Sequence, residues 1–491
     1  MSARQVRARF APSLTAELRL EAARTALYNY LFARQSGGSF VLCLQDISAR
    51  RSQQEFEHPL LEGLRWLGLR WDEGPDLGGP YGPYRQSERQ ARYQAVVEQL
   101  LATGHAYPCY CTPAELAEER ARALAHGEMP RYSGRCAGQA PREREVEGRP
   151  RVIRLRVPPG EQVSFVDLVR GPLSYSTSEL DDFVIYRPQR RAPLHSLAVT
   201  VDDHDMQISH VIRGEEHLPD TPRQILLYRA LGWEPPAFAH LPPVIGKDRA
   251  RLRKRESAAS VAAYRSGGYL PEAVLNYLAL LGWSPGPGSQ VLSLEELVES
   301  FRLDRVSRGP AVFDPERLSW FNRQHMRAMP LHVIRERARP FLLRAYGTCE
   351  RCAGTAHTPY AWLDILVDAL RAETTSLETL ADAAAFCLLD SPLVLTAEAQ
   401  EALAAPWAQL VLDACAAQLR PEHLRSAEGA NQFFTQLRRE TKARHGLTGR
   451  QVMFPLRAAL TGTLVGPCLG VVATLLGPQR CRERLDRARN S

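Results

Sequence analysis

The first 45 residues alternate between strand-like and helix-like patterns, and this alternation constrains the fold more than any other feature of the chain. Val6–Ala11 is extended and partly apolar, and Phe40–Gln45 is a second strand-like run. Between them, apolar side chains recur on one face of a predicted helix over Thr15–Arg34, which Gly37–Gly38 ends. Two strands joined by a crossover helix indicate the start of a parallel α/β sheet.

The later segments indicate more α/β structure and then a long helical region. Residues 151–186 alternate as strands do. Strand-like Val199–Val201 and Ile208–Ile212 precede a predicted helix at Pro222–Leu231. The C-terminal third is rich in Ala, Leu and Arg and lacks strand-like alternation. We therefore predict an α/β domain that carries a long α+β insertion, followed by an all-α helical bundle.

Composition narrows the class of protein. A chain of 491 residues with 44% apolar residues predicts three or four domains with sizeable cores. It has no run of eighteen apolar residues and no apolar signal-peptide core, so we expect no membrane span and a cytoplasmic location. A net charge of +7 is compatible with a polyanionic partner but does not establish one. Of the 62 basic residues only three are lysine, at positions 247, 254 and 442.

Ordered segments along almost the whole chain carry a resemblance to a known family. They begin near residue 6, keep their order and spacing, and end near residue 487. On these segments the chain resembles bacterial-type glutamyl-tRNA synthetases, which are class I aminoacyl-tRNA synthetases (glutamate–tRNA ligases). The segments are Arg9–Ser13, Gly82–Arg89, Val201–His204, Val211–Glu216, Thr221–Gln224, Gly268–Tyr277, Ala311–Asp314 and Pro455–Gly462.

The resemblance implies an α/β Rossmann catalytic domain with a parallel sheet, in two halves at 1–107 and 199–245. An acceptor-binding insertion would occupy 108–198, an ATP-loop and stem-contact domain 246–330, and a helical anticodon-binding domain 331–491. It also implies ATP and Mg²⁺ as cofactors, glutamate or a related acid as substrate, and the tRNA for glutamate as partner.

The first ATP motif of the family departs from its pattern in this chain. Family members carry a His-Ile-Gly-His-like motif where this chain has Arg19–Ala22. Arg19 replaces a histidine and can still pair with phosphate, so the resemblance implies that it binds ATP. Glu21 replaces a glycine and adds negative charge where a polyphosphate lies. The alternative is that this segment is simply a good helix, because each lost glycine favours helix formation.

The second ATP motif, Lys-Met-Ser-Lys-Ser-like in the family, is Arg251–Arg255 here. Arg251 and Lys254 occupy the two lysine positions, and the resemblance implies that they bind ATP. Arg253 replaces a serine. Lys254 is one of only three lysines in the chain, which favours a kept phosphate contact. The alternative is a solvated basic loop.

The amino-acid pocket is kept on one side and altered on the other. The resemblance implies that the family's carboxylate-binding arginines and its backbone and hydroxyl contacts are Arg9, Arg213, Ala11 and Ser13. Three further pocket positions differ. Gln45 stands where a glutamate receives the substrate ammonium, His195 replaces a tyrosine, and Val199 replaces a polar residue. Gln45 accepts a hydrogen bond but cannot balance the ammonium charge.

A cysteine cluster marks a candidate metal site. Cys109 and Cys111 are followed by Cys136, with Tyr132 four residues before it. Some family members bind zinc with this spacing, using a histidine where this chain has Gly138, and a related branch uses a tyrosine ligand. The resemblance therefore implies a zinc site with Tyr132 as the fourth ligand. The alternative is a hydrophobic cluster or the remnant of a lost site.

These observations leave three functional hypotheses. The chain is a working glutamate–tRNA ligase with an unusual ATP site, a non-catalytic tRNA-binding paralogue, or a ligase for a different acid on the same fold. Arg9, Arg213 and Lys254 favour some ligand chemistry, whereas Glu21 and Gln45 oppose the standard reaction. We expect aminoacylation with glutamate to be impaired.

Overall fold

A computed structural model describes residues 5–14, 17–47, 53–127, 129–138, 152–250, 260–347, 361–389 and 393–490. The chain divides into two units. The first comprises Met1–Ala263 and Leu275–Asp314, and the second comprises Tyr264–Val274 and Pro315–Ser491.

The first unit is built on a six-stranded sheet. Its strands are, in spatial order, β2 (Ser39–Leu42), β1 (Arg7–Phe10), β9 (His210–Gly214), β10 (Ala237–Leu241), β5 (Gln162–Asp167) and β6 (Gly171–Ser176). All neighbouring pairs are parallel except the β5–β6 hairpin. All four residues of β1 are buried, as expected for a parallel strand that is covered on both faces. The predicted parallel α/β sheet is confirmed.

Two smaller sheets accompany it. A four-stranded antiparallel sheet contains β3 (Ala106–Cys109), β4 (Val152–Leu155), β7 (Val184–Arg187) and β8 (Ala192–Pro193). A parallel pair contains β11 (Val244–Ile245) and β12 (Ala311–Val312). The first nine described α-helices are α1 (Leu20–Gln35), α2 (Gln53–Trp66), α3 (Gln90–Ala102), α4 (Pro113–Ala125), α5 (His195–Asp205), α6 (Thr221–Leu231), α7 (Val261–Ser266), α8 (Pro271–Ala279) and α9 (Leu294–Ser300).

The second unit is helical. Its later helices are α10 (Pro315–Ala328), α11 (Leu331–Tyr346), α12 (Ala361–Arg371), α13 (Leu377–Ala383), α14 (Ala385–Leu388), α15 (Ala397–Ala404), α16 (Ala408–Gln418), α17 (Ala427–His445), α18 (Gly449–Thr461) and α19 (Leu469–Arg489, broken at Gly477). Local sequence sets some of these ends: Thr448 and Gln451 form a capping box on α18, and Gly462 ends it at φ 78°. Among the described residues, no helix combines the length and apolar character that a membrane crossing needs.

The first helix begins later than its sequence pattern predicts. The expected start was Thr15, which lies outside the described residues, whereas α1 begins at Leu20. Before it, the chain is extended, with Arg19 at φ −90° and ψ 156°. The N–H of Val261 donates to the carbonyl of Leu18 at 2.9 Å. This pairing with a segment more than 240 residues away keeps the backbone extended, and local periodicity contains no sign of it.

The predicted strand at Val199–Val201 is wrong, because these residues lie inside α5. The β-branched side chains favour a strand locally. However, residues 197–203 are all buried, so the helix is covered around its circumference and lacks an amphipathic stripe. The predicted strand at Ile208–Ile212 and helix at Pro222–Leu231 are confirmed as β9 and α6, with small shifts of their ends.

Candidate functional site

A cavity of about 740 Å³ lies where β1 and β9 end. The carboxyl ends of neighbouring parallel strands meet at one edge of a sheet, which is where open α/β sheets bind ligands. Seven predicted site residues line this cavity: Arg9, Ala11, Ser13, Arg19, Gln45, His195 and Arg213. The altered positions Glu21, Ala22 and Val199 line it too. The predicted ATP contacts Arg251 and Lys254 lie outside the described residues.

Arg9 is held by a buried ion pair. Its Nε and Nη2 donate to the two carboxylate oxygens of Asp203 at 2.7 and 3.2 Å. Burial alone lowers the pKa of Arg9, but the Asp203 carboxylate more than offsets this, so the pKa is raised. The paired geometry fixes one guanidinium edge and leaves Arg9 charged at the cavity wall.

Arg213 is fixed by a chain of buried polar groups. Its Nε donates to Nε2 of His240 at 3.1 Å, and its Nη2 donates to Thr221 Oγ1 and Gln224 Oε1, both at 2.9 Å. Because His240 accepts at Nε2, its Nδ1 carries the proton, and Nδ1 lies 2.6 Å from Oδ2 of Asp167. Burial, together with the charge of Arg9, lowers the pKa of Arg213 to about 10.

Sequence reasoning missed His240 and Asp167. They lie on β10 and β5, and the sequence shows no pattern that links them to Arg213. The β5–β6 hairpin falls inside the segment expected to form the insertion, yet it extends the main sheet and supplies Asp167.

The neutral form of His240 predicts a loss of stability in mild acid. Burial lowers the pKa of His240, so the unfolded chain takes up this proton at a higher pH than the folded chain. The free energy of unfolding should therefore fall as the pH drops below about 6.5, by up to about 1.4 kcal/mol per pH unit for this group. Asp167, whose pKa is lowered, adds a loss only at more acidic pH.

Chemical denaturation between pH 7 and pH 5 measures this slope. His240→Gln should be less stable at pH 7 and show a shallower slope. His126→Gln, a change at an exposed histidine, should leave the slope as it is. An unchanged slope in His240→Gln would contradict the assignment.

The start of α1 places opposite charges on the cavity wall. The N–H of Val244 donates to Oε1 of Glu21 at 3.2 Å, so this carboxylate is held at the helix N-terminus. One turn later, Arg24 is buried and donates to the carbonyls of Leu281, at 3.2 Å, and Pro242. Arg19 bridges to Ser260, the first described residue after the second ATP motif. The two segments that the resemblance assigns to ATP therefore approach each other at this helix start.

The opposite wall carries the altered amino-acid positions. The N–H of Gln45 donates to the carbonyl of Pro12 at 3.0 Å, which keeps Ser13 and Gln45 side by side. The imidazoles of His195 and His217 stack with ring centroids 5.2 Å apart. Burial, and then His217, lowers the pKa of His195 to about 4. His217 was not predicted, although it directly follows the Val211–Glu216 motif.

The cysteine cluster is assembled as its spacing predicts. Oη of Tyr132 lies 3.4 Å from Sγ of Cys109 and 3.8 Å from Sγ of Cys111, and the sulfurs of Cys111 and Cys136 are 3.7 Å apart. All three cysteines are buried. Four ligands on zinc with 2.3 Å sulfur bonds would set neighbouring sulfurs about 3.8 Å apart. The donor atoms fit a tetrahedral zinc site without rearrangement.

Comparison with known families covers nearly the whole chain. The profile described as "tRNA synthetases class I (E and Q), catalytic domain" matches residues 5–320. A second profile, described as "Anticodon binding domain", matches residues 334–489. The two matches follow each other along the chain.

Individual relatives agree. The chain is 43% identical to a glutamate–tRNA ligase of Carboxydothermus hydrogenoformans, over 98% of this chain and 99% of that protein. It is 41% identical to a glutamate–tRNA ligase of Moorella thermoacetica, over 99% and 98%. The crystal structure of a glutamate tRNA ligase from Elizabethkingia meningosepticum, in complex with its amino acid, superposes with a TM-score of 0.84. That structure is 31% identical and is covered over 99% of both chains.

Proposed function

Because the chain belongs to the glutamyl-tRNA synthetase family, we propose that it is a tRNA-binding protein of this family in which glutamate activation is impaired. One observation carries the proposal. The altered positions are not scattered over the surface, because Arg19, Glu21, Gln45, His195 and Val199 all line the same cavity. Random drift of a working enzyme would not concentrate its changes on the walls of its own ligand pocket.

The nucleotide side of the cavity opposes a bound polyphosphate. Class I tRNA synthetases generally use ATP with Mg²⁺, and a cavity of about 740 Å³ is large enough for a nucleotide. The N-terminus of α1 would attract phosphate, but the Glu21 carboxylate is already held there by Val244. Arg19 would supply the phosphate contact, with Arg251 and Lys254 as further proposed contacts. The charge of Glu21 makes the phosphates of ATP fit poorly at this helix start.

The amino-acid side lacks a partner for the substrate ammonium. Gln45 is neutral at the position where the family has a glutamate, so a buried ammonium would lose a charge-assisted contact. Such a loss costs roughly 2–4 kcal/mol. Two or three independent losses of this size would slow activation by about 10⁴ to 10⁶-fold.

A second candidate function is ligation of a different acid. Arg9 and Arg213 are both held on the cavity wall by buried partners, which favours a carboxylate ligand. His195 and Gln45 would then select an acid whose ammonium is absent or lies elsewhere. We rank this candidate second, because the changes at Arg19 and Glu21 affect the nucleotide and not the choice of acid.

The proposal predicts very slow glutamate-dependent exchange of pyrophosphate into ATP. The purified chain, with glutamate, Mg²⁺ and glutamate tRNA, should exchange about 10⁴-fold or more slowly than a related glutamate–tRNA ligase. Filter binding of the same preparation should show that it still retains tRNA, with an affinity that falls as salt rises. An ordinary exchange rate would refute the impairment. Exchange with another carboxylic acid would favour the second candidate.

We also propose that Cys109, Cys111, Cys136 and Tyr132 bind structural zinc, because the donor distances match a tetrahedral site. Purified protein should contain about one zinc ion per chain, and Cys111→Ser should lose most of it. Cys468→Ser is the matched control, because that cysteine is exposed and lies outside the cluster. Zinc is measured by elemental analysis after dialysis. Protein without zinc, or equal zinc in both variants, would favour a hydrophobic cluster.

A further inference from the structure

We propose a second metal site, for a divalent transition ion of the zinc class, formed by His195, His217 and Asp220 at the wall of the ligand cavity. This site is separate from the cysteine cluster and does not depend on the impairment proposed above. The imidazoles of His195 and His217 line the cavity. The donor atoms of all three residues lie within 4.8 Å of one another.

The distances are those of ligands close to coordination. Oδ2 of Asp220 lies 3.4 Å from Nδ1 of His217 and 4.0 Å from Nε2 of His195. Nitrogen and oxygen ligands of tetrahedral zinc are separated by about 3.4 Å. One edge therefore already has the required length, and a second closes by about 0.6 Å. Both histidine side chains are 37% exposed and Asp220 is 28% exposed, so they have room for this adjustment.

The backbone holds these ligands in place. His217 and Asp220 lie on a short 3-10 helix, Glu215–Asp220, and His195 is the first residue of α5. The carbonyl of His217 accepts a hydrogen bond from Nη2 of Arg213 at 3.3 Å, which ties this helix to β9. The site thus joins two elements that are far apart in sequence.

The ligand set indicates the metal and what completes it. Two imidazoles and one carboxylate suit zinc, cobalt or nickel and leave at least one coordination position open. Because both histidines line the cavity, the open position can be filled from it by an oxygen donor, such as the carboxylate of a bound acid. Arg223 approaches the other oxygen, Oδ1, at 3.9 Å, so Oδ2 remains available to a metal. The positive charge of Arg213 nearby disfavours a cation and should weaken the affinity.

Cobalt(II) is a suitable probe, because it occupies zinc sites and absorbs visible light. The full chain, titrated without ATP or tRNA, should show a cobalt spectrum of nitrogen and oxygen ligation. This spectrum lacks the near-ultraviolet thiolate charge-transfer bands that the cysteine cluster would produce. Asp220→Asn and His195→Ala should each weaken this binding by at least about 10- to 100-fold, which is the loss expected even for an outer-shell partner. Cys111→Ser should remove only the thiolate bands.

His126→Ala is the matched control, because it removes an exposed histidine of the same unit, and it should leave cobalt binding unchanged. Thermal melting without metal checks that each variant is folded. The site is rejected if the thiolate-free spectrum is absent from the wild-type chain, or if it persists in both Asp220→Asn and His195→Ala. Because the titration contains no ATP, its result is independent of the pyrophosphate-exchange result.

Discussion

The double variant Glu21→Gly, Gln45→Glu should exchange pyrophosphate with glutamate at least about 10³-fold faster than the unmodified chain. The first change removes a carboxylate from the N-terminus of α1, where the phosphates of ATP would lie. The second restores a negative charge for the substrate ammonium. Each change should lower the activation barrier by roughly 2–4 kcal/mol, and the two positions act on different substrates, so their effects should nearly add.

The matched control for this gain is Glu17→Gln. Glu17 also lines the cavity, so the control removes one negative charge from the same wall without opening the helix start. It should change exchange by less than about tenfold. Each single variant should give an intermediate rate. Because Arg19, His195 and Val199 stay altered, the double variant should remain slower than a working relative. A folded double variant with no gain would place the block at those three positions.

The largest expected effect on stability comes from Asp203→Asn. This change leaves Arg9 buried without its carboxylate partner, because both side chains of the pair are almost inaccessible to solvent. Breaking such a buried pair from one side costs about 3–5 kcal/mol. Chemical denaturation, followed by a probe in the first unit, measures the difference.

Two further variants separate the ion pair from other causes. Glu88→Gln removes the partly exposed partner of Arg85, and it should change stability by less than about 1 kcal/mol. Arg9→Met combined with Asp203→Asn should recover most of the lost stability, because it removes the uncompensated charge. If the combined variant is as unstable as Asp203→Asn alone, the loss has another origin, such as packing around α5.

The fold class followed from local patterns, because each depends on neighbouring residues. The strand, helix and strand over the first 45 residues, the parallel sheet and the helical C-terminal unit were all predictable from periodicity. Errors arose where distant contacts override local preference. Leu18 pairs with Val261 and delays the first helix, and Val199–Val201 became helical because α5 is buried around its circumference.

The same division applies to the candidate site. Residues that stand in recognisable motifs, such as Arg9, Gln45 and Arg213, were named from the chain alone, and the tertiary structure places them around one cavity. The partners that hold or complete this site were not predictable: Asp203 beside Arg9, the pair of His240 and Asp167 behind Arg213, and Asp220 beside His195. Residue types and their order decide which elements form and which motifs are present. Pairing of buried charges depends on which side chains meet in three dimensions, and only the packed sheet brings residues 9 and 203, or 167 and 240, within hydrogen-bonding distance.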